Sequence, residues 1–228
     1  MLVIAGLAWL AAIAAARGMS AMSGTMGLGL LAFIGVWTLM MAAMMLPSVA
    51  PVAILYERSI TDNRIPRLAV FAASYLVVWG LAGLPAFAIA AVLSSVAMDR
   101  PETASYMAAG IFLVLGLYQV SPIKDRCLSH CRSPLSLLMH YANFQGPLRD
   151  LRAGTHHALY CLGCCWALML VLVVAGIMNL LVMVVLATVM LIEKYWSRGP
   201  AFSRIVAGAA VVLAVAAIWV PALSPGLN

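Results

Sequence analysis

The sequence predicts an all-α fold, a polytopic bundle of about seven transmembrane helices. Of its 228 residues, 65% are hydrophobic and only 9% are charged, and the mean hydropathy is +1.08. A soluble domain carries about 25% charged residues, so this composition excludes a soluble class. Most of the apolar stretches approach the ~20 residues that a helix needs to cross a bilayer. They cover residues 2–16, 28–54, 68–97, 104–120, 157–174, 177–192 and 202–221.

The first two stretches are each predicted to be one membrane helix. The first lacks the positively charged start of a signal peptide, and the Ala-rich residues before Arg17 form no clear cleavage site. The second contains Pro47 and Pro51. Proline frees backbone carbonyls, which membrane helices tolerate where neighbours satisfy them, so we expect a kinked second helix.

The apolar run from residue 157 to residue 192 is predicted to be a hairpin that turns near residues 176–179. The distribution of charge favours this interpretation over one long helix. With seven helices, all of the 13 Lys and Arg residues except Arg17 and Arg100 fall on the N-terminal side of the membrane. The positive-inside rule then places the N-terminus in the cytoplasm and the C-terminus outside.

The chain is expected to form one membrane domain over residues 1–228, with a cytoplasmic loop at residues 121–155. Its partner is therefore the lipid bilayer, and the net charge of +6 indicates topology rather than a nucleic-acid partner. Thiols on the cytoplasmic side stay reduced, so metal ligation is favoured over disulfides for the cysteines of this region.

Met residues in the second helix repeat at helical spacing and form the first candidate metal cluster. Residues four apart lie on one face of a helix, and thioether sulfur favours Cu(I) over hard cations. Ordinary packing is the alternative, since Met also fills gaps in apolar cores. The candidates are Met40, Met41, Met44 and Met45.

Two further clusters contain cysteine. In the predicted fifth helix, His157, Cys161 and Cys165 are spaced four residues apart and therefore lie along one face. Met169 continues this face, and Cys164 lies about one turn beyond Cys161. In the cytoplasmic loop, Cys127, His130 and Cys131 fall within five residues. This loop cluster fits Cu(I) or Zn²⁺, although a structural zinc site needs a fourth ligand from elsewhere. The alternative to metal binding is that the helix cysteines pack as small buried hydrophobic residues and that the loop cysteines are surface thiols.

Topology predicts that the main sulfur groups lie at one depth, in the inner half of the membrane. Met190 and Glu193 at the end of the sixth helix are candidates to join them, while Met19, Met22 and Met26 form an external group. The residues expected to meet are Met44, Met45, Cys161, Cys164, Cys165, Met190 and Glu193.

The sequence contains no recognisable catalytic motif. No charged residue falls at the centre of a predicted helix, and no phosphate loop or Ser-His-Asp set is present. We therefore expect no enzymatic activity.

Three segments together resemble a bacterial family of predicted metal-binding integral membrane proteins, some of which are labelled copper chaperones. They are WTLMMAAMMLPSVAPVAILYER, CLSHCRSP, and the run from CLGCCWALML through GIMNL to EK, within residues 37–194. The resemblance implies a location in the bacterial inner membrane and a metal site built from the Met-rich helix and the two Cys clusters.

The leading hypothesis is a membrane protein that binds copper as Cu(I), with zinc as the alternative ion, and delivers it to a receiving protein. Two other hypotheses stay open. One is an accessory subunit of a larger membrane complex, in which Met and Cys only pack against partner helices. The other is a thiol-disulfide oxidoreductase.

Overall fold

The computed structural model describes residues 1–18, 25, 27–60 and 62–220. Within these ranges it is entirely helical, with nine α-helices and one 3-10 turn at Pro101–Thr103. The predicted external group of Met19, Met22 and Met26 lies outside the described residues. The helices are α1 Leu2–Gly18, α2 Leu30–Arg58, α3 Arg64–Asp99, α4 Ala104–Gln119, α5 Pro122–Cys131, α6 Pro134–Ala142, α7 Arg149–Ala175, α8 Leu180–Tyr195 and α9 Gly199–Trp219.

All seven apolar stretches are helices, but the predicted helix count is too low for the described part of the chain. The two additional helices, α5 and α6, lie in the stretch that we expected to be a hydrophilic loop. Proline occupies the first position of both, where its missing N–H costs nothing. The side chain of Ser121 also caps α5 by accepting a hydrogen bond from the Lys124 backbone N–H at 3.2 Å.

Four helices, α2, α3, α7 and α9, are long and apolar enough to cross a membrane. A fifth span is obtained if α4 and α5, which meet at a bend of 66°, are counted as one. The remaining apolar helices α1 and α8 have 17 and 16 residues. At 1.5 Å per residue they reach roughly 25 Å, short of the ~30 Å hydrocarbon core. By length and composition, the described part of the chain therefore contains four or five candidate spans rather than seven.

The predicted turn between the fifth and sixth apolar stretches is present. Helix α7 ends at Ala175, and Gly176 adopts φ +89°, a conformation that favours glycine. Asn179 then caps α8, because its side chain accepts a hydrogen bond from the backbone N–H of Val182 at 3.2 Å. These two residues separate the helices.

Helix α7 is the most buried of the long helices and packs closely against α3 and α5. Two glycines allow this approach. A Cβ at Gly154 would overlap Ser74 and the Phe71 carbonyl of α3, and a Cβ at Gly163 would lie 2.7 Å from the sulfur of Cys127 on α5. The side chains on these faces of α7 therefore lie against neighbouring helices.

Candidate metal centre

Three thiols of α7 meet inside the bundle. The sulfurs of Cys161, Cys164 and Cys165 all lie within 4.8 Å of one another, and each residue is at most 2% exposed. The thiols of Cys164 and Cys165 donate hydrogen bonds to the Cys161 carbonyl, at 3.1 and 2.7 Å. Helical spacing within one segment places these residues together, as the sequence predicts. We call these three residues the cysteine trio.

A fourth thiol reaches the trio from α5. The sulfur of Cys131, the last residue of that helix, lies 3.9 Å from the sulfur of Cys164. All five cysteines are free thiols. The two cysteine clusters of the sequence therefore meet at Cys131, which adds a sulfur donor from a second helix.

A buried lysine contacts the trio from α8. The Lys194 ammonium donates a hydrogen bond to the sulfur of Cys161 at 3.1 Å and another to the hydroxyl of Ser48 at 2.9 Å. Lys194 is only 5% exposed. Ser48 belongs to α2, so this lysine connects three helices. Because an isolated buried ammonium is costly, it needs a negatively charged partner, and a thiolate or a metal-thiolate complex supplies one.

Tyr75 of α3 contacts both Cys161 and His157. Its hydroxyl shares a hydrogen bond with the Cys161 sulfur at 3.0 Å, and its ring centre lies 5.9 Å from that of His157. His157 is buried, and its Nδ1 has no hydrogen-bond partner among the described residues. A buried imidazole nitrogen without a partner needs an explanation, and a bound ion is one. His157 is therefore a candidate ligand beside the trio.

The predicted methionine ligands are all buried, but the polar contacts of the cysteine sulfurs involve none of them. Met169 instead lines an apolar cleft of about 400 Å³ together with Trp37, Trp79 and Trp166. The structure therefore does not bring thioether ligands to the trio through any described contact. The buried methionines are Met40, Met41, Met44, Met45, Met169 and Met190.

Glu193 is engaged in a different buried cluster. One carboxylate oxygen accepts from Gln119 at 2.9 Å and Ser203 at 3.0 Å, and the other accepts from Lys124 at 2.7 Å. Lys124 also donates to the Gln119 side chain. We call these four residues the Glu193 cluster. Its hydrogen bonds use both carboxylate oxygens, so the structure places Glu193 in an ion pair rather than at the cysteines.

The other two candidates of the loop cluster do not join the trio. The sulfur of Cys127 is half-buried against Gly163, and the His130 ring stacks on Tyr160 with centres 4.1 Å apart. Of the three residues predicted at this motif, only Cys131 contacts the trio. His130 precedes Cys131 directly and therefore points in a different direction, whereas Cys127 shares the face of Cys131 but lies one turn nearer the start of α5, against Gly163.

Sequence reasoning missed Lys194, Tyr75 and Ser48 as members of the site. Lys194 was counted only as a positive charge at the inner membrane boundary, where such side chains usually extend to water. Its position directly after a predicted ligand, Glu193, was the available signal. Tyr75 and Ser48 lie on other helices and carry no local pattern that would indicate them.

The donor set of the site fits a soft metal ion. Three thiols and the nearby Cys131 supply up to four sulfurs, and thiolate favours Cu(I) and Zn²⁺ over Mg²⁺ or Ca²⁺.

The comparisons with known proteins agree with this chemistry. Residues 34–220, most of the chain, match the PpoB2 family, whose description is copper chaperone. The chain belongs to this copper chaperone family. The match includes every residue of the trio as well as Cys131 and Lys194. No curated protein and no solved structure matches the chain.

Proposed function

We propose that this member of the copper chaperone family is a membrane-embedded Cu(I) carrier that binds the ion at the cysteine trio. The observation that carries the proposal is the convergence of three buried sulfurs within 4.8 Å, inside a chain that matches the family over most of its length. Soft thiolate ligands suit Cu(I). The ion is cargo, and the chain holds it without converting it chemically.

Lys194 supplies a counter-charge for the bound ion. A Cu(I) ion with two thiolates carries a net charge of −1, and the Lys194 ammonium beside Cys161 neutralises it. Buried charges are stable only when they are paired, so on this proposal two members of the trio bind as thiolates and the third stays a neutral thiol. Because Zn²⁺ with three thiolates also carries −1, the choice of Cu(I) rests on the soft donors and on the family match.

The two cysteines of α5 supply a route between the surface and the trio. Cys127 is half-buried, Cys131 is 8% exposed, and Cys131 lies 3.9 Å from Cys164. Cu(I) can pass between thiolates by exchanging one ligand at a time, without release into water. We propose that α5 takes part in loading or unloading the trio, and that a copper-receiving protein docks at this end of the bundle.

The proposed location is the bacterial inner membrane, with the segment of α5 and α6 on the cytoplasmic side. Four or five helices of spanning length and the basic residues around α5 and α6 support this assignment. On this topology the trio lies within reach of the cytoplasmic side, where thiols are reduced and copper is present as Cu(I).

The test is a Cu(I) titration of the purified full-length protein in mild detergent, with a chromogenic chelator as competitor. The wild type is compared with the Cys161→Ser, Cys164→Ser and Cys165→Ser triple variant. We expect the triple variant to lose roughly 100-fold or more in affinity, because removing ligands costs more than the 10–100-fold typical of residues that only support them.

Cys127→Ser is the matched control, since it removes a thiol on α5 that does not contact the trio. It should leave the affinity within a few-fold of wild type. Equal Cu(I) affinity in the wild type and the triple variant would contradict the proposal. Circular dichroism of each variant shows whether the bundle still folds.

The other two hypotheses predict different results from the same preparation. An accessory subunit would contain neither copper nor zinc and would copurify with a tightly bound protein partner. A thiol-disulfide oxidoreductase would form a mixed disulfide with a substrate protein. Elemental analysis and non-reducing electrophoresis distinguish these outcomes from copper binding.

A further inference from the structure

Three of the four histidines meet in one cluster that is separate from the trio. The ring centre of His156 on α7 lies 4.9 Å from that of His140 on α6 and 6.4 Å from that of His130 on α5. His130 and His140 are exposed, and His156 is half-buried. Three helices therefore present imidazoles to one region that solvent can reach. We call these residues the histidine cluster.

Two buried polar atoms in this region lack partners. Neither His156 Nδ1 nor the Tyr141 hydroxyl has a hydrogen-bond partner among the described residues. Tyr141 is 4% exposed, and its ring centre lies 5.7 Å from that of His156. Buried polar groups nearly always have partners, and a bound ion or water commonly supplies the partner that protein atoms do not. The cluster thus has unused hydrogen-bonding and ligating capacity.

The separations of the rings suit a shared metal ion. A metal-nitrogen bond of about 2.1 Å puts the ring centre roughly 3 Å from the ion, so two imidazoles on one tetrahedral ion have centres roughly 5 Å apart. His140 and His156 already meet this condition at 4.9 Å. His130, near the end of α5 and exposed, lies at 6.4 Å from His156 between ring centres and must come roughly 1 Å closer to share the ion.

The surrounding aromatic residues hold the rings without blocking their nitrogens. Tyr160 stacks on His130 with an interplanar angle of 3°, and ring nitrogens ligate in the ring plane, which stacking leaves open. The Tyr141 hydroxyl has no hydrogen-bond partner among the described residues, and its ring centre lies 5.7 Å from that of His156.

The histidine cluster and the trio are distinct in place and in chemistry. His156 and Cys161, the member of the trio nearest to it in sequence, lie five residues apart on α7, which is about 7.5 Å along the helix axis and on different faces of the helix. Imidazole suits borderline ions such as Cu²⁺ and Zn²⁺, whereas thiolate prefers soft ones.

We propose that His130, His140 and His156 form a second metal site, which binds a borderline divalent cation. The proposal does not depend on copper binding at the trio.

The test measures Zn²⁺ binding by calorimetry on the full-length protein in detergent. It compares the wild type with His140→Phe and His156→Phe, which keep an aromatic ring in place but remove the nitrogens. We expect each variant to lose one Zn²⁺ equivalent or to bind it at least 10-fold more weakly. Met139→Leu is the matched control, because it changes an exposed neighbour of His140 on α6 and should leave binding unchanged.

A second measurement uses Cu²⁺ and electron paramagnetic resonance on a variant with all five cysteines replaced by serine. Nitrogen hyperfine coupling in the Cu²⁺ spectrum that disappears when His156→Phe is added to this cysteine-free variant supports the site. Zn²⁺ binding that is the same in the wild type and both phenylalanine variants would overturn the proposal. The Cu(I) affinity of the trio, measured separately on the same variants, should not change, so failure here is distinguishable from failure of the Cu(I) proposal.

Discussion

At the scale of single residues, Lys194 determines the charge balance of the candidate metal centre. It is buried, and its ammonium lies 3.1 Å from the sulfur of Cys161. Sequence periodicity predicted the trio, because its members are neighbours on one helix. It could not predict Lys194 or Tyr75, nor that the predicted ligand Cys131 contacts the trio, since these contacts depend on how separate helices pack.

Lys194→Met should weaken Cu(I) binding by roughly 10- to 100-fold. The change removes a charge-assisted hydrogen bond, worth about 1.5–3 kcal/mol, from an anionic complex, and each 1.4 kcal/mol is tenfold in affinity. Lys194→Arg should retain more of the affinity, because it keeps the positive charge. Chelator competition in detergent measures both variants. Unchanged affinity in Lys194→Met would show that the lysine does not balance the charge of the bound ion.

At the scale of elements, α5 accounts for most of the difference between the predicted and the observed structure. The sequence predicted a polar loop at residues 121–155, because this segment contains no long apolar run. In the structure α5 carries Cys131 to the trio and Lys124 to the Glu193 cluster. Arg132, directly after α5, donates to the carbonyls of Glu193 at 2.6 Å and Ser197 at 3.0 Å, which fixes α5 against the end of α8.

Glu193→Gln should destabilise the protein by about 3–5 kcal/mol, the usual cost of removing one partner from a buried ion pair. The glutamine would still accept hydrogen bonds from Gln119 and Ser203 but would leave the Lys124 ammonium without a counter-charge. Thermal unfolding in detergent, followed by circular dichroism, measures the loss.

The double variant Lys124→Met with Glu193→Gln is the control, because it removes both charges together. It should recover part of the lost stability. A single variant as stable as the wild type would show that the ion pair does not hold α5, α8 and α9 together.

At the scale of the whole molecule, the all-helical class was predictable from composition and the number of membrane spans was not. Hydropathy identifies apolar segments but does not say whether a segment of 16 or 17 residues, such as α1 or α8, crosses the bilayer. The Glu193 cluster shows a second limit. Lys124 and Lys194 were counted only as positive charges on the cytoplasmic side, yet both are buried against other helices, as is Glu193.

Reporter fusions before α1 and after α9 test the topology. The seven-span topology predicts the N-terminus in the cytoplasm and the C-terminus outside, whereas five spans without α1 and α8 reverse both ends when the basic segment of α5 and α6 lies in the cytoplasm. With seven spans, a cytosolic fluorescent reporter should be active at the first position and a periplasmic phosphatase at the second. Both termini on one side would indicate an even number of spans and would contradict the predicted orientation.

X-ray absorption spectroscopy of the protein loaded with one equivalent of Cu(I) tests the central claim most directly. The site predicts a first coordination shell made of sulfur alone, which becomes rich in nitrogen or oxygen in the Cys161→Ser, Cys164→Ser and Cys165→Ser triple variant. Cys127→Ser should leave the spectrum unchanged. A wild-type first shell dominated by nitrogen or oxygen would contradict copper binding by the cysteine trio.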